Sequence, residues 1–155
     1  MAFLRGDVFA FNNDTERDNV VDFVMAMDSE MAPIVGQQIT LSSTSGTDVD
    51  TRIDLLRARA QATTPAECDL IVKGVIDGEM RGALMQADGS YQTDRQAEVL
   101  SDVDLRALVN LNNQTLTFTC VPPGSGTWMG VDRDIDGVLD SDEIDAGTDP
   151  LVPNT

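Results

Sequence analysis

The sequence predicts an α+β fold in which two or three helices pack on one antiparallel sheet of about four strands, followed by an acidic C-terminal extension. Two long segments carry apolar residues at helical spacing, and a central region alternates apolar and polar residues across two Asp-Gly pairs. A length of 155 residues with 41% hydrophobic content is enough for one buried core.

Three segments are predicted to be helical. The first begins after Asn13, which can cap it, and the second begins at Thr47 or Asp48. A short third helix follows Ser101, a favoured capping residue. The apolar residues expected to face inward in these helices are Val20, Phe23, Val24, Met27, Ile53, Leu55, Leu56, Ala60, Leu105, Leu108 and Val109.

Alternation of apolar and polar residues predicts the strands. A three-stranded meander begins near Cys68, because Asp77-Gly78 and Asp88-Gly89 are favoured two-residue turns. A further strand is predicted from Gln114 to Val121, and Gln37 to Leu41 is a short additional candidate.

The chain has two cysteines, Cys68 and Cys120, and neither belongs to a CxxC motif. We expect them to form a disulfide if the strand that carries Cys120 joins the same sheet as the meander. The alternative is two buried free thiols. A disulfide over this separation would stabilise the fold by about 4 kcal/mol in the chain-entropy model, and it requires an oxidising compartment.

The net charge of −17 arises from 27 acidic and 10 basic residues, and Lys73 is the only lysine. Such a surface disfavours nucleic acid and anionic membranes as partners and favours multivalent cations. Histidine is absent, which removes the commonest general base and transition-metal ligand. No apolar run is long enough to span a bilayer, so no membrane insertion is expected.

An enzymatic alternative would require a convergent pair of carboxylates, as in a glycosidase. Glu67, Asp69, Glu79 and Asp94 are available, but no spacing singles out a pair among them. The sequence therefore predicts a binding protein rather than an enzyme, with no catalytic residues.

The most specific motif is DRDIDGVLDSDE, near the C-terminus. Asp132, Asp134 and Asp136 occupy positions one, three and five of a twelve-residue loop, and Gly137 at position six allows a sharp turn. Glu143 at position twelve can supply two oxygens. This alternation suits Ca²⁺, which takes six to eight oxygen ligands. Mg²⁺ fits less well, because it prefers a smaller octahedral shell.

The segment from Asp132 to the C-terminus resembles the calcium loops at the ends of many bacterial secreted proteins, which are intermediate between an EF-hand loop and a thrombospondin type 3 repeat. The resemblance implies Ca²⁺ as the cofactor and an extracellular, cell-surface or periplasmic location. The ligands that it implies are Asp132, Asp134, Asp136, Val138 through its carbonyl, Asp140 directly or through water, and Glu143.

Three features depart from a simple EF-hand. The preceding segment, PPGSGTWMG, is not expected to form an entering helix, whereas Asp140 to Ala146 can form a helical exit before Gly147. Ile135 occupies position four, where a β-branched residue resists the left-handed backbone. The chain contains no second copy of the loop.

The front of the chain, FLRGDVFAF and the segment that follows, is similar to the region where a c-type cytochrome or propeller domain of a large bacterial secreted protein meets an accessory C-terminal domain. The predicted organisation is an N-terminal helical segment at 1–36, an α+β core at 37–127, and a calcium-binding loop and tail at 128–155.

Two functional hypotheses follow. The first is an extracellular calcium-binding structural or interaction module. The second is an accessory subunit or domain of a larger secreted redox or propeller assembly, with a protein partner or a missing N-terminal domain.

Overall fold

The computed structural model describes residues 13–26, 31–62, 66–76, 78–111 and 114–154. The chain forms two compact units, Met1–Met31 and Ala32–Thr155. The first unit contains helix α1, Asp14–Ala26, and Asn13 Oδ1 accepts a hydrogen bond from the Glu16 amide at 2.9 Å, as the capping pattern predicted. Two of its predicted inward residues, Val20 and Phe23, are exposed. Met27 and the FLRGDVFAF segment lie outside the described residues.

The second unit contains the sheet and four further helices. Its elements in chain order are β1 (Gln38–Ser42), α2 (Thr47–Ala60), β2 (Asp69–Ile76), β3 (Glu79–Met85), β4 (Tyr91–Thr93), β5 (Val99–Leu100), α3 (Asp102–Ala107) with a 3-10 turn (Leu108–Asn110), β6 (Thr115–Val121), α4 (Gly126–Gly130) and α5 (Asp140–Ala146). No helix among these described residues is both long and apolar enough to cross a lipid bilayer.

The sheet is antiparallel, and its strand order is β1-β6-β2-β3-β4-β5. The α+β class and the meander of β2, β3 and β4 are confirmed. The described residues form six strands and five helices, however, where about four strands and two or three helices were predicted. Strand β5 escaped prediction because two residues are too few to show an alternating pattern, and only pairing with β4 defines it.

Helices α2 and α3 begin where the sequence predicted. Ser101 Oγ accepts a hydrogen bond from the Asp104 amide at 3.1 Å and caps α3. Within α2, Ile53 and Leu56 are fully buried, whereas Leu55, also predicted to face inward, is 36% exposed. Successive residues of a helix project about 100° apart, so Leu55 turns away from the face that its neighbour Leu56 buries.

Cys68 and Cys120 form a disulfide, with their Cα atoms 5.4 Å apart. Strand β6 lies beside β2, with Leu70 opposite Cys120, which brings the two sulfur atoms together. The predicted pairing is therefore confirmed. A structural disulfide is typical of proteins that fold in an oxidising compartment.

One face of the sheet carries the main core, which α2 and α3 cover. Tyr91 and Phe118 are fully buried there and meet edge to face, with ring centroids 6.3 Å apart. The core residues contributed by the sheet strands are Leu41, Leu70, Val72, Ala83, Tyr91, Leu116, Phe118 and Cys120.

The opposite face of the sheet supports α4 and the acidic loop. Ile71 and Val121 are buried on this side, and Gly82 on β3 lies against the end of α4. A Cβ atom on Gly82 would lie 2.0 Å from the carbonyl oxygen of Gly130. Since two backbones meet there, only glycine allows α4 to approach the sheet closely, and α4 in turn positions the loop that follows it.

Replacing Gly82 with alanine should therefore destabilise the fold. We expect Gly82→Ala to lower the free energy of unfolding by about 1–3 kcal/mol, the usual cost of overpacking. Gly46→Ala is the control and should lose less, because the added Cβ would meet the flexible Asp48 carboxylate and no rigid backbone, and alanine at this N-cap of α2 costs only the capping preference. Chemical denaturation of both variants tests the assignment, and equal losses would contradict it.

Candidate metal centre

The structure brings three of the predicted ligands together at the start of the acidic loop. Asp132, Asp134 and Asp136 each offer one carboxylate oxygen, and these oxygens all lie within 4.8 Å of one another. Asp132 is buried, and the other two are half-buried. Three carboxylates at this separation repel one another in the ionised state, so the arrangement favours a compensating cation.

Backbone amides hold the three carboxylates in place. Each carboxylate accepts a hydrogen bond from an amide further along the loop, so the chain curls around its own acidic side chains. The bonds, as donor nitrogen to acceptor oxygen, are Ile135 to Asp132 Oδ1 at 2.8 Å, Gly137 to Asp132 Oδ2 at 3.2 Å, Asp136 to Asp134 Oδ1 at 3.2 Å, and Val138 to Asp136 Oδ1 at 2.8 Å.

Glu143, at the last position of the loop, lies on α5 and is fully buried. Its Oε1 atom accepts a hydrogen bond from Asn154 Nδ2 at 2.7 Å, whereas Oε2 is buried and has no hydrogen-bond partner among the residues that the structure describes. Asp134 Oδ2 is likewise buried and unpartnered. Carboxylate oxygens in this condition are costly, and a bound cation would remove the cost.

The environment disfavours the charged forms of these two carboxylates. Burial raises the pKa of Glu143, and the neighbouring charges of Asp134 and Asp136 raise it further. Burial also raises the pKa of Asp134, with an added contribution from Asp136 and Asp132. Both effects have the same origin, since negative charge is concentrated where water cannot solvate it.

Asp140 is buried, but both of its carboxylate oxygens are engaged by Arg133. The Arg133 amide donates to Oδ1 at 2.9 Å and Nε donates to Oδ2 at 2.8 Å. These two bonds link Arg133, the second residue of the loop, to Asp140, the ninth. Leu139 beside it is buried, as expected of a residue that anchors the loop to the interior.

Backbone hydrogen bonds fasten the start of α5 to the body of the domain. The Ser141 amide donates to the Asp94 carbonyl at 3.0 Å, and the Asp140 amide donates to the Val131 carbonyl at 2.9 Å. Asp94 is itself buried and pairs with Arg81 at 2.6 Å. The loop is therefore an integral part of the unit that contains the sheet.

Two details of the loop correct or complete the sequence analysis. The expectation of no helix before the loop is wrong, because α4 makes one short helical turn there, held close to β3 by Gly82. The exit helix is confirmed, and Gly147 ends it in the left-handed conformation with φ of 79°. Ile135 adopts φ of 60° despite its branched side chain, so position four is strained.

The four carboxylates considered for catalysis each have another partner. Asp69 Oδ2 accepts hydrogen bonds from the Gly124 and Gly126 amides, both at 2.8 Å. Glu67 pairs with Arg59 and Glu79 pairs with Arg95. Together with the Arg81–Asp94 pair, these contacts give each of the four carboxylates a partner within the protein.

Sequence analysis missed the contribution of Asn154. Its backbone amide donates a hydrogen bond to Asp136 Oδ2 at 2.6 Å, and its side-chain Nδ2 donates one to Glu143 Oε1. The tail therefore closes over the loop. Thr148 Oγ1 also donates to the Glu143 carbonyl at 3.1 Å. No loop motif points to Asn154, because it lies beyond the twelve positions and meets them only after the chain turns back.

The chain was compared with protein families, curated proteins and solved structures. Nothing matches.

The strain at Ile135 yields a stability prediction. Because Ile135 is 65% exposed, glycine at this position loses little packing and adopts the left-handed backbone freely. We expect Ile135→Gly to raise the free energy of unfolding by up to about 1 kcal/mol. Val138→Gly is the matched control, since Val138 does not have a positive φ and should only lose stability. Denaturant titration measures the free energy of unfolding of both variants. A decrease in both would contradict the strain at Ile135.

The raised pKa of Glu143 predicts a pH dependence in metal-free protein. Below the ordinary glutamate value of 4.5 the group is protonated in both states and costs nothing. Above it the unfolded chain ionises first, so this group's contribution to stability falls until the pH passes the raised value of the folded state. Glu143→Gln should therefore gain stability relative to wild type as the pH rises from 4.5 towards neutrality. Thermal melts across this range test it, and a constant difference would contradict it.

Proposed function

We propose that the loop from Asp132 to Glu143 binds one Ca²⁺ ion. The observation that carries the proposal is the fully buried Glu143, whose Oε2 atom lacks a partner in the same loop as three clustered aspartates. An acidic cluster alone is common on a protein surface. A buried carboxylate oxygen with no hydrogen-bond partner in the described part of the chain is uncommon and costly, and a hard cation is the ligand that it best fits.

The donor set suits calcium in number and chemistry. One oxygen each from Asp132, Asp134 and Asp136, the Val138 carbonyl and both oxygens of Glu143 make six, within the range of six to eight that Ca²⁺ takes. Both cysteines are in the disulfide and histidine is absent, so the nitrogen and sulfur ligands of zinc are missing. Water can complete the shell.

Asp140 and Asn154 are proposed to support the loop around the ion without binding the ion directly. The two bonds to Arg133 occupy Asp140, so it is expected to hold the loop closed and to contact the ion only through water. Asn154 donates to Asp136 and Glu143 and so links the tail to both carboxylates.

Calcium at this position would act mainly on structure. The loop is continuous with α5, which is bonded to the loop after β4, so an ion there ties the C-terminal segment to the sheet. The Cys68–Cys120 disulfide supports an oxidising compartment, and we place the protein outside the cell, where calcium is abundant. We therefore propose an extracellular calcium-stabilised structural or interaction module without catalytic activity of its own.

Calcium titration of metal-free protein tests the proposal. Isothermal titration calorimetry should show one calcium ion per chain, with weaker binding of magnesium. At free calcium a hundred times the dissociation constant, the folded state should gain about 2.7 kcal/mol in free energy of unfolding. An absence of both heat and thermal shift in wild type would refute calcium binding.

Two variants locate the site. Glu143→Gln should weaken calcium binding by at least about tenfold, since even ligand-supporting residues commonly contribute that much. Asp145→Asn is the matched control, because Asp145 lies on the same helix but faces Arg95 at 3.1 Å and is exposed. If Glu143→Gln and wild type bound calcium with equal affinity, the ion would have to bind outside the loop, and the proposed site would be wrong.

A further inference from the structure

A second site lies on the same side of the sheet as the acidic loop. It is a cleft of about 570 Å³, which we call the Lys73 cleft, lined chiefly by Lys73, Met80, Trp128, Met129, Arg133 and Leu151. Lys73 and Met80 come from adjacent strands, Trp128 and Met129 from α4, and the other two from the loop and the tail. Arg81, Asp94 and Asp140 complete the lining, and Asp140 is the one lining residue that the loop motif implies as a calcium ligand.

The cleft concentrates positive charge in a strongly acidic protein. Of the 10 basic residues in the chain, Lys73, Arg81 and Arg133 line it. The two carboxylates in its wall are already neutralised, since Asp94 pairs with Arg81 at 2.6 Å and Asp140 pairs with Arg133 at 2.8 Å. Because each of these carboxylates is paired with an arginine, the ammonium of Lys73 is the charge in the cleft lining that neither of them balances directly.

Lys73 lacks a counter-ion in the part of the chain that the structure describes. No carboxylate oxygen lies within 4.0 Å of its ammonium there, although 27 acidic residues are available in the sequence. Its side chain is half-buried. Burial lowers the pKa of Lys73, while the more distant charges of Asp140 and Asp94 act in the opposite direction. A half-buried cation without a direct partner is suited to an anion supplied from outside.

Arg133 has donors to spare. Its Nε atom and its backbone amide bond Asp140, and the terminal amino groups of its guanidinium have no hydrogen-bond partner among the described residues. The side chain is 44% exposed, so these groups are accessible. Lys73 and Arg133 both line the cleft, so donors of both side chains are available to the acidic group of a ligand.

The remaining walls of the cleft are apolar and exposed. Trp128 is 47% exposed, Met80 is 66% exposed and Leu151 is 64% exposed. Three large apolar side chains beside one unpaired ammonium resemble a binding site more than the usual scatter of surface residues. The indole ring offers a flat face for a planar ligand.

We propose that the Lys73 cleft binds a small amphipathic anion, with the acidic group at Lys73 and Arg133 and a planar apolar body against Trp128 and Met80. Carboxylates and sulfonates share the required chemistry. The inference stands apart from calcium binding, because its ligand groups do not include the carboxylates of the loop.

Fluorescence titration with anilinonaphthalene sulfonate tests this site. Trp128 is the only tryptophan, so binding at the cleft should change its emission as the dye fluorescence rises. In excess calcium, wild type should bind one dye, and the uncharged analogue phenylnaphthylamine should bind at least about tenfold more weakly, the loss expected for a charged hydrogen bond. Equal binding of the two dyes would overturn the proposal, as would an absence of binding to wild type.

Variants assign the acidic group to its partners. Lys73→Met and Arg133→Met should each lose at least about tenfold in dye affinity, whereas Lys73→Arg should retain most of it. Arg52→Met is the matched control, because Arg52 is an exposed arginine of α2 that bonds Gln37 and does not line the cleft. Circular dichroism and calcium titration of each variant show whether it is folded and whether the loop is intact. A folded Lys73→Met protein that binds the dye like wild type would overturn the assignment.

Discussion

The structure of the C-terminal region depends on how the protein stabilises carboxylates that are clustered and partly or fully buried. Asp132, Asp134, Asp136 and Glu143 are packed into one short loop, and Glu143 is fully buried. Backbone amides and Asn154 satisfy several of the carboxylate oxygens but leave two without partners. Repulsion and incomplete hydrogen bonding act together, so the fold favours an external positive charge at this point.

The loop can hold this arrangement because the sheet supports it from the opposite side to the main core. Gly82 lets α4 approach β3 closely, and the carbonyl of Asp94 accepts the amide of Ser141 at the start of α5. Asp94 is in turn fixed by its buried pair with Arg81. The same close packing leaves Lys73 beside Trp128 in the adjacent cleft, so the two proposed sites share one scaffold while using different residues.

Much of the fold could be predicted because local patterns are strong where they are long. The helix at Thr47, the Ser101 cap and the meander from Cys68 onward depend on neighbouring residues alone, and the structure confirms them. Prediction failed where a segment was short or its environment decided the outcome. A strand as short as β5 is defined only by its pairing with β4, and α4 lies close to the sheet at a position where Gly82 leaves room for it. Leu55 is partly exposed because helix geometry turns it away from the face that Ile53 and Leu56 bury.

The sequence by itself determined that Asp132, Asp134 and Asp136 come together, since the alternating carboxylates and Gly137 lie within twelve consecutive positions and a loop of that length closes locally. Only the tertiary structure decided which contacts the loop carboxylates and the residues around them make. Asp140 faces Arg133, Asn154 returns from outside the motif to cover Glu143, and Lys73 lies in a cleft away from direct carboxylate partners. Contacts between distant segments are set by packing across the whole domain, which no local pattern encodes.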